Sequence, residues 1–290
     1  MFHRLKKSKT ERNSDTGKVA AMNDGDGVQT NSIHYHSRFH NKKSGILRLI
    51  EGGNWNALMK LLRSKWGIEV SNIKDSTNLN MLGLALGRRA PLDVISLILE
   101  INPGLILERD DFGAVPLHLG CLNGISVEAM NCVFQHDDGQ SARIRDNDNR
   151  TALHHAVEFC CKSIVDYDDT SSASIIYEES LEVVEELLQV APETVLFVSS
   201  RGDCPLDIPH EIKAKHNIAE DPKIDEIYYL MKEASIEIYR GRRAKWEESG
   251  YDTGALKVED DVDEVHAPSL VSSLASSSQI TPKIGGESSR

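Results

Sequence analysis

Asp110-Asp-Phe-Gly-Ala-Val-Pro-Leu-His-Leu119 is answered 36 residues later by Asp146-Asn-Asp-Asn-Arg-Thr-Ala-Leu-His-His155, with Leu117 and Leu153 in equivalent places. Looser copies put Leu82 and Leu206 in the same slot. Self-similarity at a period in the thirties is the signature of a helical solenoid, in which each unit buries its apolar face against the next. Such arrays generally bind other macromolecules rather than transform small ones.

A stricter match fixes the register. Pro103, Gly113, Pro116 and Leu117 recur as Pro192, Gly202, Pro205 and Leu206, each displaced by 89 residues. The apolar pair beginning at Val133 follows Leu117 by 16 residues, whereas that beginning at Leu187 follows Leu153 by 34. The difference marks an insertion of 18 residues, roughly 162–179, containing the polar, turn-rich Tyr167-Asp-Asp-Thr-Ser-Ser-Ala-Ser174. Mobility is expected near Asp168–Ser174.

Helical periodicity extends to both sides. Ile46, Leu47, Leu49 and Ile50 give one apolar face, Gly52-Gly53 breaks it, and Asn54 can cap a helix carrying Trp55, Leu58, Met59, Leu61 and Leu62. A second unit runs from Asp75 through Leu82, breaks near 87–90 and restarts at Pro91, a residue suited to a first helical position. Asp221-Pro222 opens a further amphipathic run through Ile224, Ile227, Leu230, Met231 and Ala234. A solenoid needs such an atypical unit to close its last face.

Taken together, these motifs resemble the ankyrin repeat, two antiparallel helices and a finger-like turn with the pattern T-P-L-H-x-A. Val115-Pro-Leu-His-Leu-Gly120 matches it at Pro, Leu and His; Thr151-Ala-Leu-His-His-Ala156 matches at Thr, Leu, His and Ala. Cys204-Pro-Leu-Asp keeps Pro and Leu, and Asn80-Met-Leu-Gly-Leu-Ala85 keeps Leu and Ala. The resemblance implies an all-α, ankyrin-type solenoid of about five repeats over residues 44–215. A C-terminal capping helix over 216–248 follows, and segments 1–43 and 249–290, polar and aperiodic, are expected to be disordered. It also implies structural roles: Gly113 in a tight turn, Leu117 and Leu153 in the stack, His118 and His154 bonded to neighbouring backbone.

Charge narrows the partner. Residues 1–44 sum to +5, residues 45–240 to −14 and residues 241–290 to −3. An acidic body disfavours nucleic acid, which needs a basic surface to displace counterions, and favours a protein partner bearing a basic segment. No stretch of about 18 apolar residues can span a bilayer. The basic start, Met1 to Lys7, lacks the apolar run of a secretory signal. The five scattered cysteines, Cys121, Cys132, Cys160, Cys161 and Cys204, have neither metal-type spacing nor an even count. A monomeric cytoplasmic or nuclear protein with no cofactor and no metal is expected.

Four places in the sequence offer competing chemistry. Cys160 or Cys161 with His154 or His155 could make a small cysteine-dependent enzyme. No oxyanion device or nucleophile motif accompanies them, so they read as core residues. His34, His36 and His40 could ligate a metal but sit in a polar tail with no completing carboxylate or thiol. Lys6-Lys-Ser-Lys9 and the acidic run Glu259–Glu264 read as solvated charge. The binding surface implied by the resemblance is the concave face of fingers and first helices. It maps to Asp111, Phe112 and Ala114 on one finger, and Asn147, Asp148 and Arg150 on the next. Asn123, Glu158 and Phe159 lie beside them on the helices, with Phe112 and Phe159 as aromatic anchors.

Overall fold

The computed structural model describes residues 43–166 and 171–248, and among these every regular element is helical. Helix α1 covers 43–51. It is followed by α2 (Trp55–Leu62), α3 (Gly67–Ser71), α4 (Met81–Gly87), α5 (Leu92–Ile101), α6 (Pro116–Leu122) and α7 (Val127–Asp137). The single turn α8 (Gln140–Arg143) leads to α9 (Ala152–Asp166), α10 (Ser171–Val190), α11 (Ile208–His216) and α12 (Pro222–Glu248). Short 3₁₀ turns at Pro103–Leu107 and Pro192–Leu196 follow α5 and α10, so the two prolines matched by sequence open equivalent turns.

Local chemistry sets the boundaries. Asn54, Asn80 and Ser126 each accept a hydrogen bond from the first turn of the helix they precede, offsetting donors that have no partner inside the helix. Asp221 does the same for α12, accepting from the N–H groups of Lys223 and Ile224. Pro116 occupies the first position of α6. Pro91 instead sits at the cap, one residue ahead of α5, because its extended ψ of 149° does not continue into a helix. α7 and α11 stop at Asp138 and Asn217 in left-handed conformation, which Asn and Asp tolerate better than most residues.

The helices pack in two rows. An inner row runs α4, α6, α9, α11, each on the next; an outer row runs α2, α5, α7, α10, α12. One continuous core joins them, from Ile46 to Met231. Leu82, Leu117, Leu153 and Leu206 are all buried in it, so the slot that defined the sequence period is a packing position.

Of the insertion, residues 167–170 lie outside the described set, 168–170 of the stretch expected to be mobile among them, and the rest is helical: α9 runs on to Asp166 and α10 begins at Ser171. The described part of the insertion lengthens the two helices, because apolar side chains recur along them. Ile164, Val165 and Tyr177 pack against the core, and a long helix that buries one face is favoured over an irregular one. The segments 1–42 and 249–290, including His34, His36, His40, Lys6–Lys9 and Glu259–Glu264, lie outside the described residues. No helix among the described residues is long and apolar enough to cross a membrane.

Candidate functional site: a row of turns beside the inner helices

Four five-residue turns precede the inner helices, at 75–79, 110–114, 146–150 and 199–203, and all four are built alike. In each, the first N–H donates to the last carbonyl: Asp75 to Leu79, Asp110 to Ala114, Asp146 to Arg150 and Ser199 to Asp203. The fourth residue has positive φ in every case: Asn78, Gly113, Asn149 and Gly202. At the first position, Asp75, Asp110 and Asp146 each accept two N–H groups of their own turn with one carboxylate oxygen. Ser199 accepts one, from Arg201. Asn, Asp and Ser close turns in this way because their short side chains imitate a backbone acceptor.

Backbone bonds then tie the turns to one another. The N–H of Asp111 donates to Thr77 at 3.0 Å, that of Asn147 to Phe112 at 2.9 Å and that of Ser200 to Asp148 at 2.7 Å. In all three pairs the second residue of one turn meets the third of the turn before. Side chains reinforce the row, Asn147 Nδ2 donating to the Asp111 carbonyl and Arg109 to the carbonyls of Gly113 and Arg145. The row therefore fixes the spacing between units.

The motif histidines lock turns to helices. His118 Nδ1 accepts from the Val115 N–H and its Nε2 donates to the Arg150 carbonyl of the next turn, both at 3.2 Å. Those partners define one neutral tautomer. Burial, with the neighbouring His155, pushes its pKa down to about 4. His154 repeats the first bond, accepting from the Thr151 N–H at 3.1 Å. Its Nε2 lacks a partner at bonding distance, although the Asp203 backbone, the counterpart of Arg150, lies close enough to lift the pKa slightly. Burial and the charges of Arg150 and His155 prevail and hold it at about 3.

Of the residues expected to face a partner, Asp111, Phe112, Asn123, Asn147 and Asp148 are exposed. Phe112 stands out at 63 % exposure. Ala114 does not belong with them: it is buried, because the last residue of the turn must return towards the core to enter α6. Arg150 and Glu158 are mostly enclosed and paired with each other at 2.6 Å, and Lys162 completes the trio on Glu158. Burial alone would raise the Glu158 pKa, but bonds from Lys162 and Arg150 hold it at about 2. Phe159 is half-buried. The Arg89 guanidinium lies 5.5 Å from its ring centroid, and a Cβ on Gly124 would fall 2.4 Å from the ring. Phe159 therefore seals the junction of α6 and α9, while Phe112 alone of the two aromatics stands free on the tips.

A charged cleft of about 270 Å³ opens beside this face, between the turn at 199–203, α9 and α11. Arg150, Lys162, Arg201 and Lys215 line it together with Glu158, Asp203 and Glu211, over a floor of Ile208 and Ile212. Sequence reasoning assigned no role to Asp75, Asp110 or Asp146, nor to the cleft residues beyond Arg150 and Glu158. The aspartates were legible, since two open the repeated phrase; the cleft joins residues more than fifty positions apart and left no local trace.

The cysteines stand apart from this face. Burial pushes the Cys161 thiol up to about 12 and raises that of Cys160 as well, so both are neutral at physiological pH and poor nucleophiles. His154 is committed to Thr151, and His155 Nε2 meets Asp146 Oδ2 at 3.2 Å. Among the described residues no cluster of His, Cys, Asp and Glu could hold a metal ion. In comparisons with known proteins, the chain matches no family model. It also matches none of the curated proteins.

Proposed function

We propose that the chain is a divergent ankyrin-type repeat array acting as a protein-interaction module, an adaptor or scaffold, that docks a partner across its turns and inner helices. The observation that carries this reading is the row of four like-built turns, bonded to one another and tipped by an exposed phenylalanine between aspartates. Rigid backbone carrying a different side chain at each tip suits recognition, because little conformational entropy is lost when a partner docks. The imidazole that bridges one turn to the next at His118 supports the family assignment, as do the four leucines in the stack. A partner with a basic segment complements Asp111 and Asp148, and an apolar or aromatic side chain beside it can cover Phe112.

The experiment separates contact residues from residues that hold the fold. Partners are captured from native lysate on the parent chain, identified, and their purified forms titrated against Phe112→Ala/Asp148→Ala. That double variant should weaken binding by at least about tenfold, as loss of an interface anchor does, with an unchanged melting temperature. Equal affinity for parent and variant would remove the turn face as the docking site.

A further inference from the structure

A second surface lies on the outer row, away from the turns. α10 and α12 run side by side in the same direction: Lys223 Nζ lies 3.5 Å from Ser174 Oγ. Tyr177 Oη donates to Glu226 at 2.7 Å and lies 3.2 Å from the Lys223 carbonyl. Further along, the pair leaves an open trough of about 360 Å³ lined by Leu181 and Glu185 from α10, and by Glu226, Tyr229, Leu230 and Glu233 from α12. The leucines are half-buried in its floor, and Tyr229 is 60 % exposed. Glu185, Glu226 and Glu233 stand exposed on both walls, and among the described residues no lysine or arginine lines the trough.

We propose that this trough is a docking site for a basic amphipathic helix, whose apolar residues rest on Leu181, Leu230 and Tyr229 while its Lys or Arg side chains meet the glutamates. The geometry is that of a helix laid in a groove between two parallel helices, recognised through apolar anchors one turn apart. Charge selects among occupants. Two troughs facing each other would bring glutamates against glutamates, and nucleic acid or an anionic bilayer would be repelled by the same groups. The site is independent of the turn face, so either can fail without the other.

The probe is a fluorescent synthetic helix of Leu and Lys with a single apolar stripe, titrated by anisotropy into the full chain. A Glu-for-Lys version serves as the charge control. The Lys peptide should bind, more weakly as salt rises, and the Glu peptide should not. Glu185→Lys/Glu233→Lys should weaken binding by at least about tenfold, and Tyr229→Ala should weaken it several-fold without a change of charge. Glu69→Lys/Glu100→Lys carries the same change in net charge on exposed positions of α3 and α5 and should retain the parent's affinity. The proposal is overturned by no binding to the full chain, by equal binding of both peptides, by an unchanged affinity on trough reversal, or by an equal loss in the α3/α5 control.

Discussion

The unit around Leu117 and the unit around Leu153 share a motif and differ in what surrounds it. In the first, α6 and α7 are 7 and 11 residues long, the fourth turn residue is Gly113, and His118 reaches the next turn with a full hydrogen bond. In the second, α9 and α10 are 15 and 20 residues long, Asn149 stands in place of glycine, and His154 Nε2 has no partner at bonding distance. Yet the following turn is met by the same backbone bond in both units, from Asn147 to Phe112 and from Ser200 to Asp148. Growth has been accommodated at the helix ends remote from the turns, which keep their spacing. The turn row is the geometry that the units of this chain share, and helix length is what differs between them.

That contrast is most severely tested in the core. Leu117→Ala and Leu153→Ala remove side chains that are wholly buried, and each should destabilise by about 2–5 kcal/mol. If the two units are one cooperative stack, denaturant unfolding of both variants stays a single transition with the parent's slope. Separate transitions would mean that the lengthened unit unfolds by itself.

The next largest effect should come from the turns. Gly113 has φ +73°, and a Cβ there would lie 2.3 Å from Asn147 Oδ1 and 3.0 Å from its backbone nitrogen. Gly113→Val should therefore cost about 1–3 kcal/mol in backbone strain and also prise the two turns apart. Asn149→Gly, at the same place in the next turn, should change stability by less than about 1 kcal/mol, since both residues adopt its φ of 58°. Comparable losses in melting temperature from the two would refute the equivalence of the turns.

A smaller effect distinguishes the histidines. At pH 7.5 His118→Gln should loosen the next turn as well as its own, the bond to Arg150 being worth about 0.5–1.5 kcal/mol, whereas His154→Gln loses bonds within its own unit only, to the Thr151 N–H and hydroxyl. Acid should reveal both. An ordinary imidazole has a pKa near 6.5, and burial pushes it down to about 4 in His118 and to about 3 in His154. Between those values the unfolded chain binds the extra protons, so this stability is fully present above pH 6.5 and is lost as pH falls through that window. Melting temperature should decline over that range, and either substitution should shallow the decline. A profile unchanged by both would show that neither imidazole is held neutral by folding.

How much of this was legible in the sequence follows the same contrast. Leu117, Leu153, Gly113 and the 89-residue displacement exposed the repeat because they are local, position-specific demands of packing and positive φ. The insertion was marked by its spacing, yet its polar centre concealed that Ile164, Val165 and Tyr177 would carry α9 and α10 on as helices. The tips Asp111, Phe112 and Asp148 were found by register. Ala114, Arg150, Glu158 and Phe159 were placed on the open face by the same register but are enclosed: Ala114 by the return of its turn into α6, Arg150 and Glu158 by pairing with each other inside one unit, and Phe159 by Arg89 and Gly124 of the preceding units. The glutamate-walled trough left no motif at all, being formed by helices whose facing residues are about fifty positions apart in sequence.

The continuity of the turn row underlies the proposed docking face, and amide hydrogen exchange on the free protein tests it most directly. The N–H groups of Asp111, Asn147 and Ser200 sit on exposed residues at the tips and are satisfied only by the preceding turn. They are expected to exchange far more slowly than free surface amides, all three with similar protection, approaching that of the buried inner helices. Exchange of these three at the rate of an unstructured chain, while α6 and α9 remain protected, would contradict it: the turns would then be independent loops on a helical body.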